Sequence, residues 1–431
     1  MSNLTLWKDI SPLGSALRQP SSKSPHILII GGGVTGLISA WVLLDRGYRV
    51  TIVSSSWVND HERLTSQIAG ALWEFPPAVC GQHTDKISLA HSKHWSMTAY
   101  HIWDGIASIP ALSEASGVRM MPSDFFFPEV VESDKNQVTK MTEIMASGVR
   151  GFYRGADIID ERGIDPAYGA VDAYELLAPV IDTDKAMEWL MGLVESKGAT
   201  LITETIHNDL VEIEDELRDR FDADVIINCT GLQAQELAGD DSVYPIRGGL
   251  IRVINDGTDF PKVEAALTIT ADAAHSSNEI IFLVPRNDNI LLIGGITEPH
   301  EWNLDLTIDT PIIRRMRERC EKFLPGLENA RMDPKYPFAQ GLRPFRGQNV
   351  RVERELRRTG SRIVHSYGHG GAGWSLSFGC AQDVATLVEE ALEGIPARPM
   401  SETVFERKSA GFQRHEQTQK AQKTQKTPVR W

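Results

Sequence analysis

His26-Ile27-Leu28-Ile29-Ile30-Gly31-Gly32-Gly33-Val34-Thr35-Gly36 decides the fold. Ile27 to Ile30 is a continuous apolar run, which predicts a parallel strand buried on both faces. Behind it Leu37, Ala40, Trp41 and Leu44 recur at helical spacing, and Gly47 closes that helix. Arg49-Val50-Thr51-Ile52-Val53 reads as the next strand. In a strand–turn–helix–strand unit, the spacing Gly31-x-Gly33-x-x-Gly36 predicts a dinucleotide pocket. Gly31 permits the tight turn. Gly33 lets the backbone at Val34 and Thr35 approach a pyrophosphate at the helix N-terminus, and Gly36 lets helix and strand pack closely. The plain alternative is a glycine turn without a ligand, and the flanking strand and helix weigh against it.

The acid that often follows the second strand is missing, and Ser54-Ser55-Ser56 stands there. Hydroxyls can hold a ribose diol, so Ser55 and Ser56 are candidate contacts, but no carboxylate argues for a nicotinamide cofactor. The pocket therefore points to a resident flavin. Asp224-Val225-Ile226-Ile227-Asn228-Cys229-Thr230-Gly231 is a second buried strand that ends in a glycine turn. Its end, Cys229, Thr230 and Gly231, is placed over the ADP part of FAD. No cysteine or histidine sits in an evident linkage motif, so a non-covalent cofactor is expected.

Further along, Lys185 to Val194 predicts a helix and Ala199 to Ile202 a strand. Leu250 to Ile254, Ile280 to Val284 and Ile290 to Ile293 read as antiparallel strands, with Asn287-Asp288-Asn289 as a hairpin turn. Ile363 to Ser366 predicts a strand and Cys380 to Leu392 a helix. The expected fold class is α/β: a doubly wound, Rossmann-like FAD-binding domain with a second, antiparallel-rich α+β substrate domain. The first domain is assembled from about 25–95, 200–245 and 340–395, and the second from 96–199 and 246–339. Residues 1–24 and 406–431 are expected to be loose.

Composition narrows the function. The 431 residues carry a net charge of -14, which speaks against nucleic acid as a partner. No apolar run approaches the roughly 20 residues of a membrane helix, and no leader-like stretch opens the chain. Four cysteines without metal-type spacing fit buried thiols and a cytoplasmic setting, and no metal site is expected.

The glycine turn, Thr65-Ser66-Gln67-Ile68-Ala69-Gly70-Ala71-Leu72-Trp73, the Asn228-Cys229-Thr230-Gly231 strand end, Gly341-Leu342-Arg343-Pro344 with Arg351 to Glu355, and Tyr367-Gly368-His369-Gly370-Gly371-Ala372-Gly373 together resemble the D-amino acid oxidase family. The likeness runs from about 25 to 395. It implies FAD, a small-molecule substrate, and dioxygen reduced to hydrogen peroxide; it leaves a homodimer open. It implies that Thr65 and Ser66 contact the pyrophosphate or ribityl region and that Ala71 and Leu72 lie along the isoalloxazine. Ile206 would lend backbone to the adenine, and Gly370, Gly373, Trp374 and Ser375 would hold the pyrimidine end. Arg343 matches the arginine that clamps the substrate carboxylate, and Gly371 the glycine whose carbonyl receives the amine. A guanidinium suits that clamp because it is planar, always charged and bidentate.

The chain departs from the family where two tyrosines are expected. Asn278 and Phe282 stand at those positions, and a phenyl ring cannot donate a hydrogen bond. Trp73 and Trp374 are candidate apolar walls of the substrate pocket. The expected reaction is hydride removal from a C–H next to an amine. The alternatives are oxidation of a hydroxyl-bearing carbon, and a flavin-binding scaffold without turnover. Arg343 could instead pair with Glu353, and His369 is expected to act through its backbone.

Overall fold

A computed structural model describes residues 4–59, 62–77, 86–269 and 280–402. Asn278, Cys80 and the segment 406–431 lie outside the described residues. Two sheets organise the chain. The first has six strands in the order Arg351–Arg354, Ile363–Tyr367, Val225–Asn228, His26–Ile30, Arg49–Ser54 and Thr200–Thr203. All pair in parallel except the edge strand Arg351–Arg354. Alternation along the central strand explains the doubly wound form. Ile27 and Ile29 join one apolar cluster with the helices Val34–Asp45 and Gly373–Leu392, whereas Leu28 and Ile30 join another with helix Leu210–Phe221.

The second sheet is mostly antiparallel. Its order is Glu298–Pro299, Val243–Ile254, Ile290–Gly294, Ile281–Pro285, Ala266–Ile269, Val118–Phe127, Asp172–Ile181 and Tyr153–Arg154. Strand Phe338–Arg346 pairs with Val243–Ile254 from Phe338↔Ile251 to Arg346↔Val243. The boundary drawn at 340 therefore falls inside a strand of the second sheet, and Arg343 belongs there. Helix Pro311–Phe323 covers this sheet, with Ile313, Met316, Cys320 and Phe323 buried against it.

Two more boundaries move. Helix Lys86–Ala107 packs on helix Gly373–Leu392, so close that a β-carbon at Gly379 would stand 2.1 Å from the Trp95 Cα. Helix Thr183–Ser196 buries Ala186, Met187 and Leu190 in the same cluster as the first strand. Both flank the parallel sheet, although Thr183–Ser196 and the part of Lys86–Ala107 beyond residue 95 fall in the stretch assigned to the substrate domain. The beginning of the chain is also docked rather than loose. The fully buried Asp45 accepts hydrogen bonds from Ser11 N (2.7 Å), Leu17 N (2.9 Å) and Trp41 Nε1 (2.9 Å) and pairs with Lys197 (2.8 Å). A buried carboxylate needs such donors, and the 11–17 backbone supplies two of them. Among the described residues no helix is long and apolar enough to cross a membrane.

Candidate functional site

The carboxyl ends of the parallel strands open on a cavity of about 420 Å³ whose wall is completed by the antiparallel sheet. At the glycine turn, Gly31 has φ +116° and a β-carbon there would lie 2.3 Å from the Cys229 carbonyl oxygen. That geometry excludes any side chain. Gly36 does not line the cavity. It sits behind the turn, where a β-carbon would meet the Gly31 oxygen at 2.0 Å, as close helix–strand packing requires. Gly31, Gly33, Val34 and Thr35 line the cavity with the first turn of helix Val34–Asp45. Ser55 and Ser56 line it at the end of the second strand, and Ile206, Cys229, Thr230 and Gly231 nearby.

A carboxylate does face this end, just beyond the strand expected at Ala199 to Ile202. Glu204 follows Thr200–Thr203, donates its N–H to the Ser54 carbonyl (2.9 Å) and lines the cavity. Arg220 grips both of its oxygens at 2.7 and 2.5 Å, which holds the carboxyl below its usual range.

The remaining wall comes from distant segments tied together. Ser66 Oγ accepts from Val34 N (3.1 Å), and Trp374 Nε1 donates to the Ser66 carbonyl (3.0 Å). Thr65 Oγ1 donates to the Leu342 carbonyl (3.3 Å), and Gly370 N donates to the Pro344 carbonyl (2.8 Å). Thr65, Ser66, Ala71, Leu72, Gly370, Gly371, Gly373, Trp374 and Ser375 all line the cavity. Arg286, fully buried, donates to the Ala69 carbonyl (2.7 Å), the Ile181 carbonyl (2.9 Å) and Thr183 Oγ1 (2.7 Å), fixing the turn before Ala71. Burial lowers its pKa to about 10, and the nearby Asp182 and Asp184 carboxylates offset this only in part.

Arg343 reaches the cavity from its strand. Its guanidinium lies over Gly248, where a β-carbon would stand 2.5 Å from Nη1, and donates to the Ile296 carbonyl at 3.1 Å. Glu353, the alternative partner, instead holds Arg351 at 2.8 Å. Among the described residues no carboxylate pairs with Arg343. Phe282 also lines the cavity, its ring pressed on Gly70 so that a β-carbon there would meet Cζ at 2.4 Å. Trp73 does not line it. It is 2 % exposed, packs on Phe75 and Tyr100, and donates from Nε1 to the Ser96 carbonyl (3.0 Å). The reason is strand alternation: residues 72, 74 and 76 face the cavity, while 73 and 75 point into the core.

His369 lines the cavity fully buried, and burial pulls its pKa down to about 4, so the ring is neutral. Its Nε2 has no hydrogen-bond partner among the described residues. Burial pushes the Cys229 thiol up to about 12, which makes it inert. The described residues contain no metal-type cluster. A flavin dinucleotide fits what is present. The first turns of helices Val34–Asp45 and Gly373–Leu392 both open on the cavity, offering N–H groups and a positive dipole end to anionic groups. Glycine backbone, serine hydroxyls and the unpartnered His369 nitrogen offer the remaining polar contacts.

The comparisons with known proteins agree with that fit. The sequence profile of the FAD dependent oxidoreductase family matches residues 26–387. The chain is 31% identical to a D-amino-acid oxidase of Streptomyces coelicolor over 363 residues, 84% of this chain and 96% of that protein. It is 30% identical to a D-amino-acid oxidase of Rubrobacter xylanophilus over 365 residues, 85% of this chain and 96% of that one. The fold is similar to that of glycine oxidase from Bacillus cereus, with a TM-score of 0.62 at 17% identity, covering 87% of this chain and 99% of the other. It is also similar to FAD-bound L-alpha-glycerophosphate oxidase from Mycoplasma pneumoniae, with a TM-score of 0.63 at 15% identity, covering 85% and 95%.

Proposed function

This chain belongs to the FAD dependent oxidoreductase family, and from that premise we propose that it oxidises the C–H bond beside the amine of a D-amino acid, with Arg343 holding the substrate carboxylate. One observation carries the reading: a guanidinium faces the cavity with no carboxylate partner among the described residues. Bound FAD supplies the two-electron acceptor, with dioxygen as the final oxidant and hydrogen peroxide as a product.

The protein's part is positioning. The Ile296 carbonyl and the bare face of Gly248 fix the guanidinium plane, leaving its remaining N–H groups for a planar anion. Gly371 stands exposed in the loop beside it and offers its carbonyl to the substrate amine. A neutral amine needs no protein base to reach the imine, and water then releases the oxo acid and ammonia. Phe282 gives the carboxylate no phenolic donor, which costs about 1.5–3 kcal/mol of binding. Apolar area from Leu72, Leu250, Phe282 and Trp374 offsets that for larger side chains. Activity on D-alanine is therefore weak beside that on bulkier amino acids. The described cysteines are all free thiols, which favours the cytoplasm as the site of action.

The second reading, oxidation of a hydroxyl-bearing carbon, rests on the same Phe282. The FAD-loaded protein is assayed for peroxide, 2-oxo acid and ammonia against matched sets of D-amino acids and 2-hydroxy acids. Oxo acid with stoichiometric ammonia is expected from the amino acids. Turnover of hydroxy acids alone would overturn the proposal.

A further inference from the structure

Residues 72–76 run along the cavity beyond a left-handed Ala71. Leu72 bridges Val180, and Trp73 N donates to the Pro179 carbonyl at 3.0 Å. The alternation that buries Trp73 and Phe75 turns Glu74 into the cavity, between Leu72 and Pro76. This is the substrate side of the wall, because Leu72 and Phe282 pack on one cluster of the antiparallel sheet, with Val180, Ala266 and Val284.

The Glu74 carboxylate is fixed there. One oxygen, Oε1, accepts from Lys140 Nζ at 2.7 Å, and that ammonium also donates to the Pro77 carbonyl at 2.9 Å. Lys140 is 5% exposed, so its charge is committed to this pair. Leu72 and Pro76, which flank Glu74 on the lining, are apolar, as are Leu250 and Phe282 on the same lining. Among the described residues no second group bonds the carboxylate. A carboxylate accepts at both oxygens, and an acceptor left open in an apolar wall gains from a donor that reaches it.

We propose that Glu74 is the side-chain specificity residue of this cavity: it accepts a hydrogen bond from an N–H or O–H group at the tip of a substrate side chain, with the ammonium of a basic amino acid preferred. The inference rests on the amino-acid reading above. Lys140 holds Oε1, so the second oxygen keeps a carboxylate's acceptor strength for a donor that enters the cavity, and a charged N–H makes the stronger bond. The Arg343 end holds the carboxylate and the Glu74 end reads the far end of the side chain, which selects for length as well as polarity.

Caproate, ε-hydroxycaproate and ε-aminocaproate carry the carboxylate without an α-amine. They bind without turnover and differ only at the tip. Their Kd values for the FAD-loaded protein are read from the perturbed flavin absorbance. Wild type is expected to bind ε-aminocaproate about tenfold tighter than caproate, with the hydroxy compound between, as one charge-assisted hydrogen bond gives. Glu74→Leu combined with Lys140→Met removes the acceptor without stranding the ammonium and should bring the ratio to about one. Equal affinity of wild type for caproate and ε-aminocaproate would overturn the inference, as would a preference that survives in the double variant. D-norleucine turned over as efficiently as D-lysine would also defeat it while leaving amino-acid oxidation standing. No turnover of any amino acid would defeat that reading instead, and the ligand series would still report on Glu74.

Discussion

The two sides of the cavity are built differently. On the parallel-sheet side the wall is backbone: Gly31, Gly33 and the first turns of two helices present N–H groups, and a side chain would only obstruct them. On the antiparallel side the wall is side chains: Arg343 and Phe282 project from strands, and Leu72 and Glu74 from the segment bridged to Val180, so that pairing decides which of them reach the cavity. A backbone wall tolerates little change because its groups belong to the fold, whereas a side-chain wall can change its ligand by exchanging one residue. The parallel side should therefore fail completely when disturbed, and the antiparallel side by degrees.

The largest effect is expected at Gly36→Ala. The added methyl would stand 2.0 Å from the Gly31 oxygen, so helix Val34–Asp45 must move off its strand. Overpacking of this kind costs about 3 kcal/mol and displaces the turn itself. FAD retention measured by gel filtration should be lost. A yellow, fully loaded variant would break the contrast between the two walls.

Arg343→Ala comes next. Removing a charge-assisted bidentate contact should cost about 2–4 kcal/mol of transition-state binding, a fall in kcat/KM of about 30- to 1000-fold, with FAD content unchanged. Loss of FAD instead would place Arg343 in the cofactor wall. Gly248→Ala tests the same clamp more gently. Its methyl would crowd the guanidinium, which stands 2.5 Å away, and the long arginine can shift. A fall in kcat/KM of about tenfold is expected, with KM carrying most of it. No change would mean the plane of the guanidinium is not fixed by that contact.

The smallest effect is on stability against pH, within the parallel sheet. His365 is fully buried, with Nε2 3.1 Å from Glu355 and Nδ1 3.4 Å from the Asn228 amide. Burial pulls its pKa down to about 4, so the neutral ring donates from Nε2 and accepts at Nδ1. The unfolded chain takes up that proton near about pH 6.5, and the folded protein refuses it until about 4. Stability therefore falls as pH drops through this window, and His369 acts in the same direction. Glu355, held below its usual range partly by His365 and Arg357, extends the loss to lower pH. Melting temperatures followed from neutral pH downward should decline, and His365→Gln should make that decline shallower. An unaltered slope would remove His365 from the account.

The same contrast explains what could be read from sequence. The glycine turn, the strand Val225–Asn228 and the loop after Tyr367 are local patterns whose chemistry depends on their own spacing. Cavity lining by Gly31, Thr230 and Gly371 follows directly from them. Helix Gly373–Leu392 was legible only from Cys380 onward, because its first turns interleave glycine and serine with Trp374, Leu376 and Phe378 and so carry a weak helical signal. Trp73 was misplaced because aromatic character suggests a pocket wall, whereas the pairing that fixes its phase, Leu72 with Val180, spans a long sequence separation. Glu74 was missed for the same reason. Glu204 was missed because the expected acid was sought one strand too early. The docking of residues 4–17 depends on Asp45 and Lys197, a pair that no local periodicity reveals.

The central claim is that a cavity guanidinium selects the carboxylate of an amino acid at a flavin site. The most direct test is anaerobic flavin reduction in stopped flow, comparing D-norleucine with its decarboxylated counterpart, pentylamine, in wild type and in Arg343→Ala. Wild type should be reduced by the amino acid at least about a hundredfold more efficiently than by the amine, and Arg343→Ala should lose most of that preference. Equal reduction by both compounds in wild type, or a preference untouched in the variant, would contradict the account.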